Sequence, residues 1–153
     1  MTSWRRGRTV IQRLLDDSAL DRVRPSAKHA RRLLSEARTN LASAKVIAPS
    51  DPSGSLHLAY DAARKASTAL LAVQGLRPTS RGGHRAVQDA VSAQFGGPFR
   101  DFARMRRQRN RSEYPTADSP TVTADDATDA VTRAAAMFDR AHELVETGEI
   151  EAW

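Results

Sequence analysis

The sequence predicts an all-α protein: a four-helix-type up-and-down bundle with one or two extra short helices. Three observations predict it. Apolar residues recur at three- and four-residue intervals through most of the chain. Proline, glycine and capping residues fall between the periodic stretches rather than within them. Aromatic residues make up only 5% of the composition, so the core has to be built from Ala, Leu and Val, which suits closely approaching helices. No run alternates apolar and polar residues in the manner of a half-buried strand. A chain of 153 residues fits one domain, expected to span 1–153.

The elements follow in order. Residues 1–8 are basic and are expected to form a loose N-terminal segment. A short helix is expected over Thr9–Asp17, with Val10, Ile11, Leu14 and Leu15 on one side. Ser26 caps a long second helix whose stripe is Ala30, Leu33, Leu34, Ala37, Leu41 and Ala44. The breaker cluster at 49–54 ends it, and Asp51 and Pro52 start the next helix. Leu56, Tyr60, Ala63, Ser67 and Leu70 mark the buried face of that helix, which runs to Gln74 with Gly75 as its C′ residue.

A loop over Arg77–Gly83 leads to a shorter helix beginning near His84, with Val87, Val91 and Phe95 inward. Gly96-Gly97-Pro98 breaks it. A helix from about Pro98 to Tyr114 stops at Pro115, because a residue before proline disfavours the α region. After a polar loop, Thr123 caps the last helix, with Asp125 and Asp126 in its first turn. Its seam is Ala127, Ala130, Ala134, Phe138, Ala141 and Leu144 or Val145. Residues 147–153 are expected to form a C-terminal tail, with Trp153 either loose or anchoring a partner.

Composition excludes several functions. There is no cysteine, so disulfides and thiolate metal sites are out. The four histidines (His29, His57, His84, His142) have no metal-site spacing, so no metal and no cofactor is expected. No apolar run reaches the roughly 20 residues of a membrane span. Asp16-Asp17 directly after Leu14-Leu15 rules out an export h-region, so a cytoplasmic location is expected. The net charge of +6 suits an anionic partner such as RNA, DNA or a nucleotide. Only three of the 24 basic residues are lysines, which equally fits the codon usage of a GC-rich genome. Charge becomes a footprint only when it clusters on one face.

One helix breaks the simple pattern. Phe99, Phe102, Arg106, Arg109 and Glu113 form a single stripe, apolar at its start and charged at its end, with Asn110 beside Arg109. Arg109 can pair with Glu113, and Arg106 with Asn110, at helical spacing. Charges facing a core need partners or a cleft. Arg104, Arg107 and Arg111 ring the same helix, so a solvated charge run is the competing reading.

The segment Arg109-Asn110-Arg111-Ser112-Glu113-Tyr114 resembles the motif of the HEPN family, small helical bundles of toxin–antitoxin and defence systems. Ala59-Tyr60-Asp61-Ala62-Ala63-Arg64-Lys65-Ala66, continuing to Gly75-Leu76-Arg77-Pro78, and Gly83-His84-Arg85-Ala86-Val87 are similar to two further stretches of that family. The resemblance spans roughly 56–114. In catalytic members it implies metal-independent RNA cleavage, with the Arg steadying the phosphate and a motif His moving protons. Here that His is missing: the chain reads Arg-Asn-x-x-Glu-Tyr, as one branch of the family does, and the next histidine is His142.

The resemblance therefore implies a nucleotide- or RNA-binding, or partner-binding, protein without full RNase activity. Arg106, Arg109, Arg64 and His84 would bind phosphate, and Arg109 with Asn110 would be the catalytic pair if there is one. Glu113 beside Arg109 is a poor base, since a cation lowers a carboxylate's pKa. Tyr114 closes the motif. In some relatives the equivalent Tyr is modified by a partner nucleotidyltransferase, whereas packing at the helix end is the plainer role. The family usually forms a homodimer, which would bring two copies of Arg109 together. Two alternatives stand beside this reading: an active metal-independent RNase toxin using Arg109 and Asn110, and a purely structural interaction subunit.

Overall fold

A computed structural model describes residues 4–153. Its elements are α1 (Arg8–Asp16), β1 (Leu20–Arg22), α2 (Ala27–Ile47), α3 (Pro52–Gln74), β2 (Leu76–Pro78), α4 (Gly83–Phe95), a 3₁₀ turn (Gly97–Asp101), α5 (Phe102–Glu113) and α6 (Ala124–Thr147). The protein is an all-α helical bundle. Helix α3 is its axis: it packs against α2, α6, α4 and α5. That position explains its composition, since Ala59, Ala62, Ala63, Ala66 and Ala69 are all fully buried and let four helices approach one backbone.

The caps sit where local chemistry puts them. Ser26 Oγ accepts from the His29 N–H at 3.0 Å, and Asp51 Oδ1 accepts from the Gly54 N–H at 3.0 Å. Thr123 and Asp126 complete a capping box at the head of α6. Gly75 ends α3 with φ 77°, a left-handed conformation that favours glycine. Helix α5 ends at Glu113, one residue before the Tyr114-Pro115 pair.

Three expectations are corrected. The Arg77–Gly83 loop was expected to be irregular from its start. Instead, Leu76–Pro78 pairs antiparallel with Leu20–Arg22 in a two-stranded ribbon, in the register Leu20↔Pro78 and Arg22↔Leu76. Three-residue strands are too short to display a period of two. Of the segment expected to be loose, residues 1–3 lie outside the described residues. Within the described part Trp4 is packed, its ring 5.3 Å from Phe95, centroid to centroid, while Arg5, Arg6 and Arg8 are exposed. The C-terminal tail is held as well. Ile150 is buried, and the Trp153 N–H donates to the Gln74 carbonyl at 2.8 Å.

The ribbon matters for the site because it sets the start of α4. Thr79 Oγ1 donates to the Ser18 carbonyl at 2.7 Å. A Cβ on Gly82 would fall 2.1 Å from the Ala19 carbonyl oxygen, so only glycine lets this loop lie against α1's exit. Among the described residues, no helix is long and apolar enough to cross a membrane, and no group of three metal-ligating side chains forms.

Candidate functional site

The site begins with Tyr60, in the middle of α3. Its ring is buried and meets Phe102 of α5 edge-on at 5.7 Å. Its hydroxyl lies 3.1 Å from His84 Nδ1, at the start of α4. The Arg109 guanidinium carbon sits 5.8 Å from the same ring's centroid, over its face. One aromatic side chain therefore joins residues from three helices.

The remaining candidates gather around it. Arg64, one turn beyond Tyr60, is half-buried; its Nε is fully buried with no hydrogen-bond partner, and Asp61 is 3.9 Å from its Nη2. Arg106 was expected to pair with Asn110. Instead its Nε donates to Gln88 Oε1 of α4 at 2.9 Å. The reason is geometric, since α4 packs beside α5 and offers an acceptor that is already buried. Asn110 Oδ1 accepts from Arg109 at 3.3 Å, and Arg109 forms its ion pair with Glu113 within the helix. Tyr114 is 73% exposed, so it does not staple the helix end.

The local electrostatics agree with this convergence. Burial pushes the Tyr60 hydroxyl above its ordinary range, against the opposing pull of Arg109, Arg106 and Arg64. His84 is held below the usual imidazole range, first by burial and then by Arg64 and Arg109, with Arg106 adding and Asp61 opposing. The same three guanidinium groups thus act on both side chains. The site is a cationic cluster of four N–H-bearing side chains, with Glu113 and Asp61 as its acidic neighbours. Such a set can hold an anion with planar, directed donors.

The sequence-level candidates Arg64, His84, Arg106 and Arg109 are brought together. Asn110 attends Arg109, and Tyr114 stands apart at the end of α5. Gln88 was missed, although its spacing of four from His84 on α4 places both on one face. A second polar cluster was also missed, on the other flank of α5. Ser112 Oγ lies 2.7 Å from Ser53 Oγ and 3.3 Å from His57 Nε2. It borders a cavity of about 220 Å3 lined also by Leu56, Gln108, Arg111 and Thr121. No pattern links residues so far apart in sequence.

Compared with protein-family models, curated proteins and solved structures, the chain matches none.

Proposed function

We propose that this protein binds phosphate groups of RNA or of a nucleotide at the cluster formed by Arg64, His84, Arg106 and Arg109, and does so without cleaving RNA. The observation that carries the reading is the convergence on Tyr60 of cationic or N–H-bearing side chains from α3, α4 and α5. An ion pair alone would not require it: Arg109 pairs with Glu113 inside its own helix, yet Arg64 of α3 and His84 of α4 gather at the same point with Arg106 of α5.

Cleavage would need a proton acceptor. The acid nearest Arg109 is Glu113, and its carboxylate is engaged in the ion pair with that guanidinium. The resemblance to HEPN proteins suggests the setting, a toxin–antitoxin or defence system, with a homodimer that would extend the cluster into a groove. Exposed Tyr114 is open to a modifying nucleotidyltransferase.

The test measures binding and cleavage in parallel. Wild type and Arg109→Ala are titrated against a fluorescent single-stranded RNA and incubated with total RNA in the presence of chelator. Loss of one charge-assisted phosphate contact is worth roughly 1.5–3 kcal/mol, so affinity is expected to fall about ten-fold or more. RNA is expected to stay intact with both. Cleavage by wild type that the substitution abolishes makes the protein a metal-independent RNase. Absence of RNA and nucleotide binding by folded wild type leaves the structural role.

A further inference from the structure

The hydrogen bond between Tyr60 and His84 has a direction, and burial decides it. Tyr60 is 1% exposed, and among the described residues its hydroxyl has His84 Nδ1 as its hydrogen-bond partner. A buried O–H without an acceptor is costly. The hydroxyl therefore donates, Nδ1 accepts, and a neutral imidazole must then carry its proton on Nε2. Nδ1 is engaged with Tyr60, while His84 as a residue is exposed, so its Nε2 side is the one open to a ligand.

We infer that Tyr60 is a positioning residue that locks His84 in the tautomer with its proton on Nε2, making it a fixed donor to a bound phosphate and not a proton acceptor. The inference rests on the phosphate-binding reading and sharpens it. Any anion here meets the Nε2–H of His84 beside the guanidinium groups of Arg64, Arg106 and Arg109. Protonating His84 would place hydrogen on Nδ1, turn the Tyr60 hydroxyl away from its acceptor, and add a cation among three others. Asp61 and Glu113 are the opposing charges, and they accompany Arg64 and Arg109. His84 thus presents an N–H toward a phosphodiester or phosphate monoester and no free imidazole lone pair to remove a ribose 2′-hydroxyl proton.

Nitrogen-15 NMR of the imidazoles in the full chain tests the lock. Wild type is expected to show His84 with hydrogen on Nε2 and a slowly exchanging Tyr60 hydroxyl proton correlated to Nδ1. A proton found on Nδ1 overturns the proposal. In Tyr60→Phe, near-isosteric in the core, the His84 titration is expected to move upward, because the bond that favours the neutral ring is gone. An unchanged or lower midpoint overturns it.

The ligand side uses His84→Gln, whose amide nitrogen mimics Nε2–H, against His84→Ala. With a single-stranded RNA oligonucleotide, Gln is expected to retain affinity within about two-fold, while Ala loses about ten-fold. Equal losses in both variants overturn the donor role. If wild type binds neither RNA nor inorganic phosphate, the phosphate-binding reading fails, and the NMR result still decides the tautomer.

Discussion

At the scale of single residues, Tyr60 carries the most consequence. Its ring supports Arg109 and its hydroxyl fixes His84, so one core position organises the polar face above it. The state of His84 is also a stability term. Its folded pKa lies below the ordinary value, so between that folded pKa and about 6.5 the unfolded chain binds more protons than the folded one. Stability linked to His84 is therefore complete above about pH 6.5 and is lost as pH falls through the acidic side of that range. His84→Gln removes this linkage. In urea unfolding from pH 7.5 down to 5, wild type is expected to lose stability faster than the variant. Parallel curves would mean that His84 titrates as a free imidazole. The site's residues were legible in part. Arg106 and Arg109 stand out as charges continuing an apolar stripe, and Arg64 and His84 through the family resemblance, whereas the partner of Arg106 does not, because Gln88 lies 18 residues away on another helix.

At the scale of elements, helix ends were the most legible feature. Ser26, Asp51, Gly75 and Thr123 each act within three or four residues, and local chemistry is what a sequence displays directly. The β1–β2 ribbon was not legible, since its pairing joins segments more than 50 residues apart. The packing of Trp4 on Phe95 and of the C-terminal residues on α3 was hidden for the same reason.

That ribbon and the Gly82 loop hold the start of α4, and hence His84, against the bundle. Gly82→Ala has no backbone objection, because φ at Gly82 is −76°. Its Cβ would instead strike the Ala19 carbonyl oxygen. Overpacking of this kind costs about 1–3 kcal/mol. A fall of several degrees in the thermal midpoint is expected in calorimetry, together with a weakened Tyr60–His84 contact seen by NMR. An unchanged midpoint would mean that the loop can shift away at little cost, and that the ribbon does not hold α4.

A second junction joins α3 to α4 inside the core. Gln74 Nε2 donates to Gln94 Oε1 at 2.6 Å, and Gln94 Nε2 donates back to Gln74 Oε1 at 2.9 Å. Both residues are buried, so each amide satisfies the other. Gln94→Leu alone strands the Gln74 amide, at about 1–3 kcal/mol. The double change Gln74→Leu with Gln94→Leu removes both polar groups and is expected to cost less than the two single changes added together. A double-mutant cycle in denaturant measures the difference; additive values would mean that the pair does not act as a unit.

At the scale of the whole molecule, the question is whether the positive charge is a surface device or only a compositional habit. The net charge is +6, and α5 alone carries five arginines and one glutamate, which accounts for +4 of it. Charge gathered on one helix distinguishes an anion-binding face from codon usage only where it shares one face of that helix. Not all of α5 takes part: Arg104 is turned toward Asp129 of α6, and Arg107 and Arg111 are exposed. Arg64, Arg106 and Arg109 are the three that gather at Tyr60. Each phosphate neutralised on a single strand contributes about −0.7 to the slope of log affinity against log salt, so three contacts give a slope near −2. Arg106→Ala is expected to make that slope shallower by about 0.7 while its partner Gln88 rehydrates at the rim. A wild-type slope near zero would assign the arginines to composition. A slope steeper than −3 that Arg106→Ala leaves unchanged would move the binding face to the exposed Arg107 and Arg111, away from Tyr60.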